Sequence, residues 1–146
     1  MRIKLISLIT YVISVFFLTD CGSNDKMGKT VEGRWYTQSQ VSLGEKIFKK
    51  NCAKCHGKNA DKTKNWKKPL PDGSYPPPPL NGTAHAWHHP MKALLATINI
   101  GGKPIGGKMP PFKNKLTEEE KLTAIAYFQS FWSKEIYEGW EQRNRS

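Results

Sequence analysis

The stretch Cys52-Ala53-Lys54-Cys55-His56 decides how this chain is read. Its two thiols are separated by two residues, so they share one helical turn, and a histidine follows the second directly. The C-x-x-C part alone would also suit a zinc half-site or a redox-active cysteine pair. A redox pair belongs at a strand-to-helix junction, and no strand pattern precedes Cys52. Zinc would need a second ligand pair. His85 and His89 have a suitable spacing, but the stretch between Cys55 and His85 is about twice the roughly 12–15 residues such sites use. Neither reading gives His56 a role. C-x-x-C-H as a whole is the attachment signature of a c-type haem. The thiols of Cys52 and Cys55 add across the vinyl groups as thioethers, and the His56 imidazole is placed as proximal ligand to the iron.

Upstream of this motif the chain carries an export pattern. Arg2 and Lys4 precede an uncharged, mostly apolar run from Leu5 to Leu18. The run is shorter than the roughly 20 residues of a membrane span and fits the about 7–15 of a signal core. Residues 1–20 are therefore expected to be a signal peptide, with an uncleaved anchor as the alternative. Leu18-Thr19-Asp20-Cys21 resembles the lipobox of bacterial lipoproteins, in which the cysteine is lipidated, although Asp20 departs from the small residue usual there. With Cys52 and Cys55 taken by haem, Cys21 is the odd cysteine. Residues 21–34 are polar and glycine-containing and are expected to form a flexible tether. Residues 35–146, ending in an aromatic-rich tail, then make one domain.

The net charge is +11. Much of it lies around the haem motif, at Lys46, Lys49, Lys50, Lys54, Lys58, Lys62, Lys64, Lys67 and Lys68. In an exported protein such a field fits an acidic protein partner or anionic lipid headgroups, and nucleic acid is not expected.

Three helices are expected in the domain. Ser42-Leu43-Gly44-Glu45 has the form of a capping box and predicts a helix from Leu43 to about Cys52, with Leu43, Ile47 and Phe48 on one face. His89-Pro90 starts a second helix, with Met91, Leu94, Leu95 and Ile98 inward and Gly101-Gly102 as the stop. Thr117-Glu118-Glu119-Glu120 caps a third, running to about Ser133, with Ile125, Phe128 and Trp132 on one face. Ile136 and Trp140 either continue it or form a further turn. Between the first two helices, residues 57–77 lack apolar periodicity and read either as a compact Ω-loop or functional loop or, in preference, as a solvated insertion pinned by Trp66.

A sixth iron ligand is sought in Gly106-Gly107-Lys108-Met109-Pro110-Pro111-Phe112. The glycines admit a close backbone approach and the prolines stiffen the chain beyond the methionine, which makes Met109 the candidate distal ligand. His85, His88 and His89 compete for the role.

Taken together, these segments resemble bacterial class I monohaem cytochromes c over about residues 41–131. The likeness is carried by Gly44 and Phe48, Cys52-Ala53-Lys54-Cys55-His56-Gly57, Pro78-Pro79-Leu80-Asn81-Gly82, Met109-Pro110-Pro111-Phe112, and Leu116 to Tyr127. The resemblance implies an all-α class I cytochrome c fold, a small helical domain wrapped around one covalent haem c. It implies that the first and last helices cross at Gly44, Phe48 and Tyr127. It also implies that the carbonyl of Pro78 accepts the proximal imidazole N–H of His56.

The expected function is that of a one-electron carrier in an extracytoplasmic respiratory chain, with haem c and its iron held by His56 and Met109, and not an enzyme. The alternative is a haem c enzyme component or a redox or gas sensor whose distal ligand dissociates. The expected partner is an acidic redox protein, such as a terminal oxidase, a reductase or a cytochrome bc-type complex. The expected place is the periplasmic side of a membrane, anchored by a lipid on Cys21.

Overall fold

The computed structural model describes residues 28–145. Residues 1–20, expected to be a signal peptide, Cys21 and the first part of the expected tether lie outside the described residues.

Among the described residues five helices form in the order α1 (Gln38–Asn51), α2 (Ala53–His56), α3 (Met91–Ile100), α4 (Glu118–Gln129) and α5 (Lys134–Arg145), with short 3₁₀ turns at Ala86–His88 and Lys103–Ile105. The described residues contain no strand, only two isolated bridges.

Helix α1 begins five residues earlier than the sequence reading places it. Its capping box is Thr37 with Gln40. The Gln40 N–H donates to Thr37 Oγ1 at 3.2 Å, and the Thr37 N–H donates to Gln40 Oε1 at 2.9 Å. Ser42 cannot cap because it already lies inside the helix, where its hydroxyl donates to the Gln38 carbonyl. Glu45 is paired instead with Lys49 one turn on. The buried face consequently runs through Val41, Gly44 and Phe48, while Leu43 is exposed.

The cap of α4 is as expected. The Glu120 N–H donates to Thr117 Oγ1, and the Thr117 N–H donates to Glu120 Oε2. Helix α4 ends at Gln129 rather than Ser133, because Ser133 opens a new helix: its hydroxyl accepts from the Ile136 N–H and its carbonyl from the Tyr137 N–H. Ile136 and Trp140 thus belong to a separate helix, α5.

The core forms where α1 crosses α4. A Cβ placed on Gly44 would lie 1.8 Å from the Thr123 carbonyl oxygen, so only glycine permits this approach. The Phe48 and Tyr127 rings meet there with centroids 5.2 Å apart. The same core continues through Trp132, Tyr137 and Trp140, whose rings are in contact. Helix α5 is pinned by polar contacts as well. The Trp140 indole donates to the His89 carbonyl at 2.9 Å, and Asn144 Oδ1 accepts from the Met91 N–H at 2.8 Å, capping α3 from a distant part of the chain.

Packed chain starts ahead of the expected boundary at Trp35. The Arg34 guanidinium donates to the Trp132 carbonyl at 3.0 Å and lies 4.0 Å from the centre of the Tyr137 ring. Arg34, placed in the tether by its polar surroundings, is held by a carbonyl and a ring face that local sequence does not reveal.

Candidate haem site

Cys52 ends α1, its N–H donating to the Phe48 carbonyl, and the chain turns at once into the single turn of α2. The amides of Cys55 and His56 both donate to the Cys52 carbonyl. This turn places both thiols and His56 on one short helical segment. The two thiols are free of any disulfide, with Cys52 half-buried and Cys55 exposed. Burial, followed by the neighbouring Cys55, pushes the Cys52 thiol up to about 11, so it is protonated at neutral pH.

His56 is 7% exposed. Its Nδ1 lies 2.8 Å from the Pro78 carbonyl oxygen. A carbonyl can only accept, so Nδ1 carries the proton and Nε2 keeps a lone pair. Burial holds the His56 pKa below its ordinary value, and the Pro78 hydrogen bond opposes that only in part. The imidazole is thus neutral, as a metal ligand must be.

The position of the Pro78 carbonyl is itself fixed. The N–H groups of Leu80 and Asn81 both donate to the Ala60 carbonyl, at 2.7 and 3.2 Å. The Trp132 indole donates to the Leu80 carbonyl at 2.7 Å. Ala60 is fully buried and adopts a φ of 55°, which is unusual for a residue with a side chain. The Tyr127 hydroxyl donates to the Lys58 carbonyl and ties the same turn to α4. Ala60 carries no motif and escapes a reading of the sequence, which places Trp132 on an apolar helix face but does not show its donation to Leu80. Only the surplus of aromatics after Phe131 hints at the Trp132 contact.

Met109 is half-buried in the segment after α3. Its carbonyl accepts from the Gly102 N–H at 2.9 Å, and the Phe112 N–H donates back to the Ile98 carbonyl on α3. Gly101 has a φ of 81°, and a Cβ there would lie 2.5 Å from the Met109 carbonyl oxygen. The glycines that end α3 therefore also make room for the Met109 backbone.

The three competing histidines are engaged with aromatic rings. His85 stacks on Trp66 with centroids 4.5 Å apart and meets His89 edge-on, while His88 stacks on Trp87. Burial, with the charges of His89, His88 and Lys67, holds His85 below its usual range. The stacking on His85 also gives the expected anchor of the 57–77 insertion at Trp66. All nine lysines of the basic cluster are exposed.

The donor set fits a covalently held haem. It offers two unpaired thiols one helical turn apart, a buried neutral imidazole with its outer nitrogen committed, and a thioether on a glycine-flanked segment. A family profile described as "Cytochrome C oxidase, cbb3-type, subunit III" matches residues 39–128, which include every one of these donors.

The chain belongs to this cytochrome c family. Its all-α architecture is that of a class I cytochrome c, and its cofactor is covalent haem c with iron. It is 33% identical over 99 residues to the cbb3-type cytochrome c oxidase subunit FixP of Sinorhizobium medicae, a match covering 64% of this chain and 30% of that protein. It is 36% identical over 62 residues to cytochrome c-551 of Bacillus subtilis, covering 42% of this chain and 54% of that protein. The matches thus take in less than two thirds of the length of either relative. No solved structure matches the chain.

Proposed function

We propose that this cytochrome carries single electrons in an extracytoplasmic respiratory chain, with Cys52 and Cys55 holding the haem and His56 and Met109 as axial ligands. The observation that carries the reading is the buried His56, its Nδ1 held by the Pro78 carbonyl and its Nε2 left for iron. The haem supplies a one-electron Fe(III)/Fe(II) couple when bound. The hydrogen bond from His56 to Pro78 orients the imidazole and raises its basicity. The Met109 thioether favours the reduced state and raises the potential. With His56 and Met109 both holding the iron, no place would be left for a substrate, and the chain would act as a carrier rather than as an enzyme by itself.

The match to a subunit of a cbb3-type oxidase supports a terminal oxidase as the electron acceptor. The exposed lysines around the haem motif would steer the carrier to an acidic docking face. Residues 1–20 would direct export and Cys21 would hold the mature protein to the membrane by a lipid. Among the described residues no helix is long and apolar enough to cross a membrane.

The test is to mix the reduced, haem-loaded protein with a cbb3-type oxidase in oxygenated buffer. Oxidation of the haem at a rate proportional to oxidase concentration is expected. A haem that stays reduced would overturn the oxidase as acceptor. For the anchor, Cys21→Ser should move the protein from the membrane to the soluble fraction.

A further inference from the structure

Two segments far apart in sequence meet beside Met109. The amide of Tyr75, in the insertion, donates to the Gly106 carbonyl at 2.9 Å, and Tyr75 forms an isolated parallel bridge with Gly107. Next to this bridge Asp72 forms an ion pair with Lys108, the residue immediately before Met109. The carboxylate of Asp72 is held in orientation by Ser74, since its other oxygen accepts from the Ser74 N–H at 3.1 Å and the Ser74 hydroxyl at 2.6 Å. The turn is closed by the Leu70 N–H on the Ser74 carbonyl and the Gly73 N–H on the Leu70 carbonyl. On the other side, Gly106 has a φ of 78°, and the Gly106-Gly107 pair would leave the approach to Met109 with wide conformational freedom.

We propose that the 70–75 turn is a latch, in which Asp72 and the Tyr75 amide are positioning groups that hold the Gly106–Lys108 segment and so keep the Met109 thioether on the iron against external ligands. The latch rests on Met109 being the distal ligand. It gives the insertion a role beyond solvated surface, and it acts through Met109 without touching the haem iron. Both members of the ion pair are more than half exposed, so the pair is weak and its effect is a tuning of ligand lability.

Carbon monoxide binding to the reduced, haem-loaded full chain reads this directly, because the gas must displace Met109 and carries no charge of its own. Asp72→Asn should speed binding about two- to fivefold. Lys108→Gln should do the same, and the double variant should be no faster than either single one, since both remove one interaction. Raising the salt should speed binding in the unmodified protein and leave Asp72→Asn unchanged. Hydrogen exchange at the Tyr75 amide should accelerate in Asp72→Asn, while the thermal midpoint stays within about a degree. Met109→Ala serves as the reference. Fast binding in Met109→Ala with no change in Asp72→Asn, or additive effects of the two single variants, overturns the latch alone. Unchanged binding in Met109→Ala overturns the ligand assignment, and the latch with it.

Discussion

His56 Nδ1 sits 2.8 Å from the carbonyl oxygen of Pro78, 22 residues further along the chain. That bond fixes the tautomer of the His56 imidazole, and its position depends on Ala60 and Trp132 through Leu80. Loosening the carbonyl should weaken the imidazole as a donor and favour the reduced iron. Pro78→Gly, which frees the backbone, should raise the potential by on the order of 60 mV, a tenfold change in a one-electron equilibrium. Redox titration checks this, and a lowered potential would count against the orienting role.

Gly44 is set against the Thr123 carbonyl too closely for any Cβ. On an exposed helix Gly→Ala would stabilise by about 1 kcal/mol. Here Gly44→Ala should destabilise by about 1–3 kcal/mol, because the α1–α4 crossing must open. Guanidinium unfolding of the haem-loaded protein gives the sign, and a more stable variant would refute the contact.

Trp140 separates packing from hydrogen bonding in α5. It is buried, and its indole donates to the His89 carbonyl. Trp140→Phe keeps a ring and loses the donor, and should cost about 1 kcal/mol. Trp140→Ala also loses the contact with Trp132 and should cost about 3–5 kcal/mol. Equal unfolding midpoints for the two variants would mean that the ring contributes little.

How much of this was legible in the sequence depends on how local the signal is. The haem motif and the α4 cap are written in adjacent residues, while the Gly44 crossing was legible only through the family resemblance. The His56–Pro78 bond was legible only through family resemblance, since nothing in a proline itself announces a carbonyl acceptor. The α1 cap was misplaced because Thr37-x-x-Gln40 and Ser42-x-x-Glu45 satisfy the same pattern, and only packing of Val41 and Gly44 selects the first. Ala60, Arg34 and the Asp72–Lys108 pair were hidden because their partners lie far away in sequence.

The basic cluster predicts salt-sensitive kinetics. Exposed charges are screened beyond about 10 Å at 0.1 M salt. Electron transfer to an acidic oxidase should therefore slow about tenfold as salt rises from low to physiological strength. Replacing Lys54, Lys58 and Lys62 with Gln should flatten that dependence. Stopped-flow rates across a salt series measure it, and a flat profile in the unmodified protein would make the lysines solvated surface only.

Redox titration of the haem-loaded protein beside Met109→Ala, followed by optical absorption, tests the axial pair most directly. Ligation by His56 and Met109 predicts a reversible one-electron wave at positive potential. It also predicts a downward shift in the variant well beyond the roughly 60 mV of a tenfold change, with haem still attached. The same potential and spectrum in both proteins would contradict it.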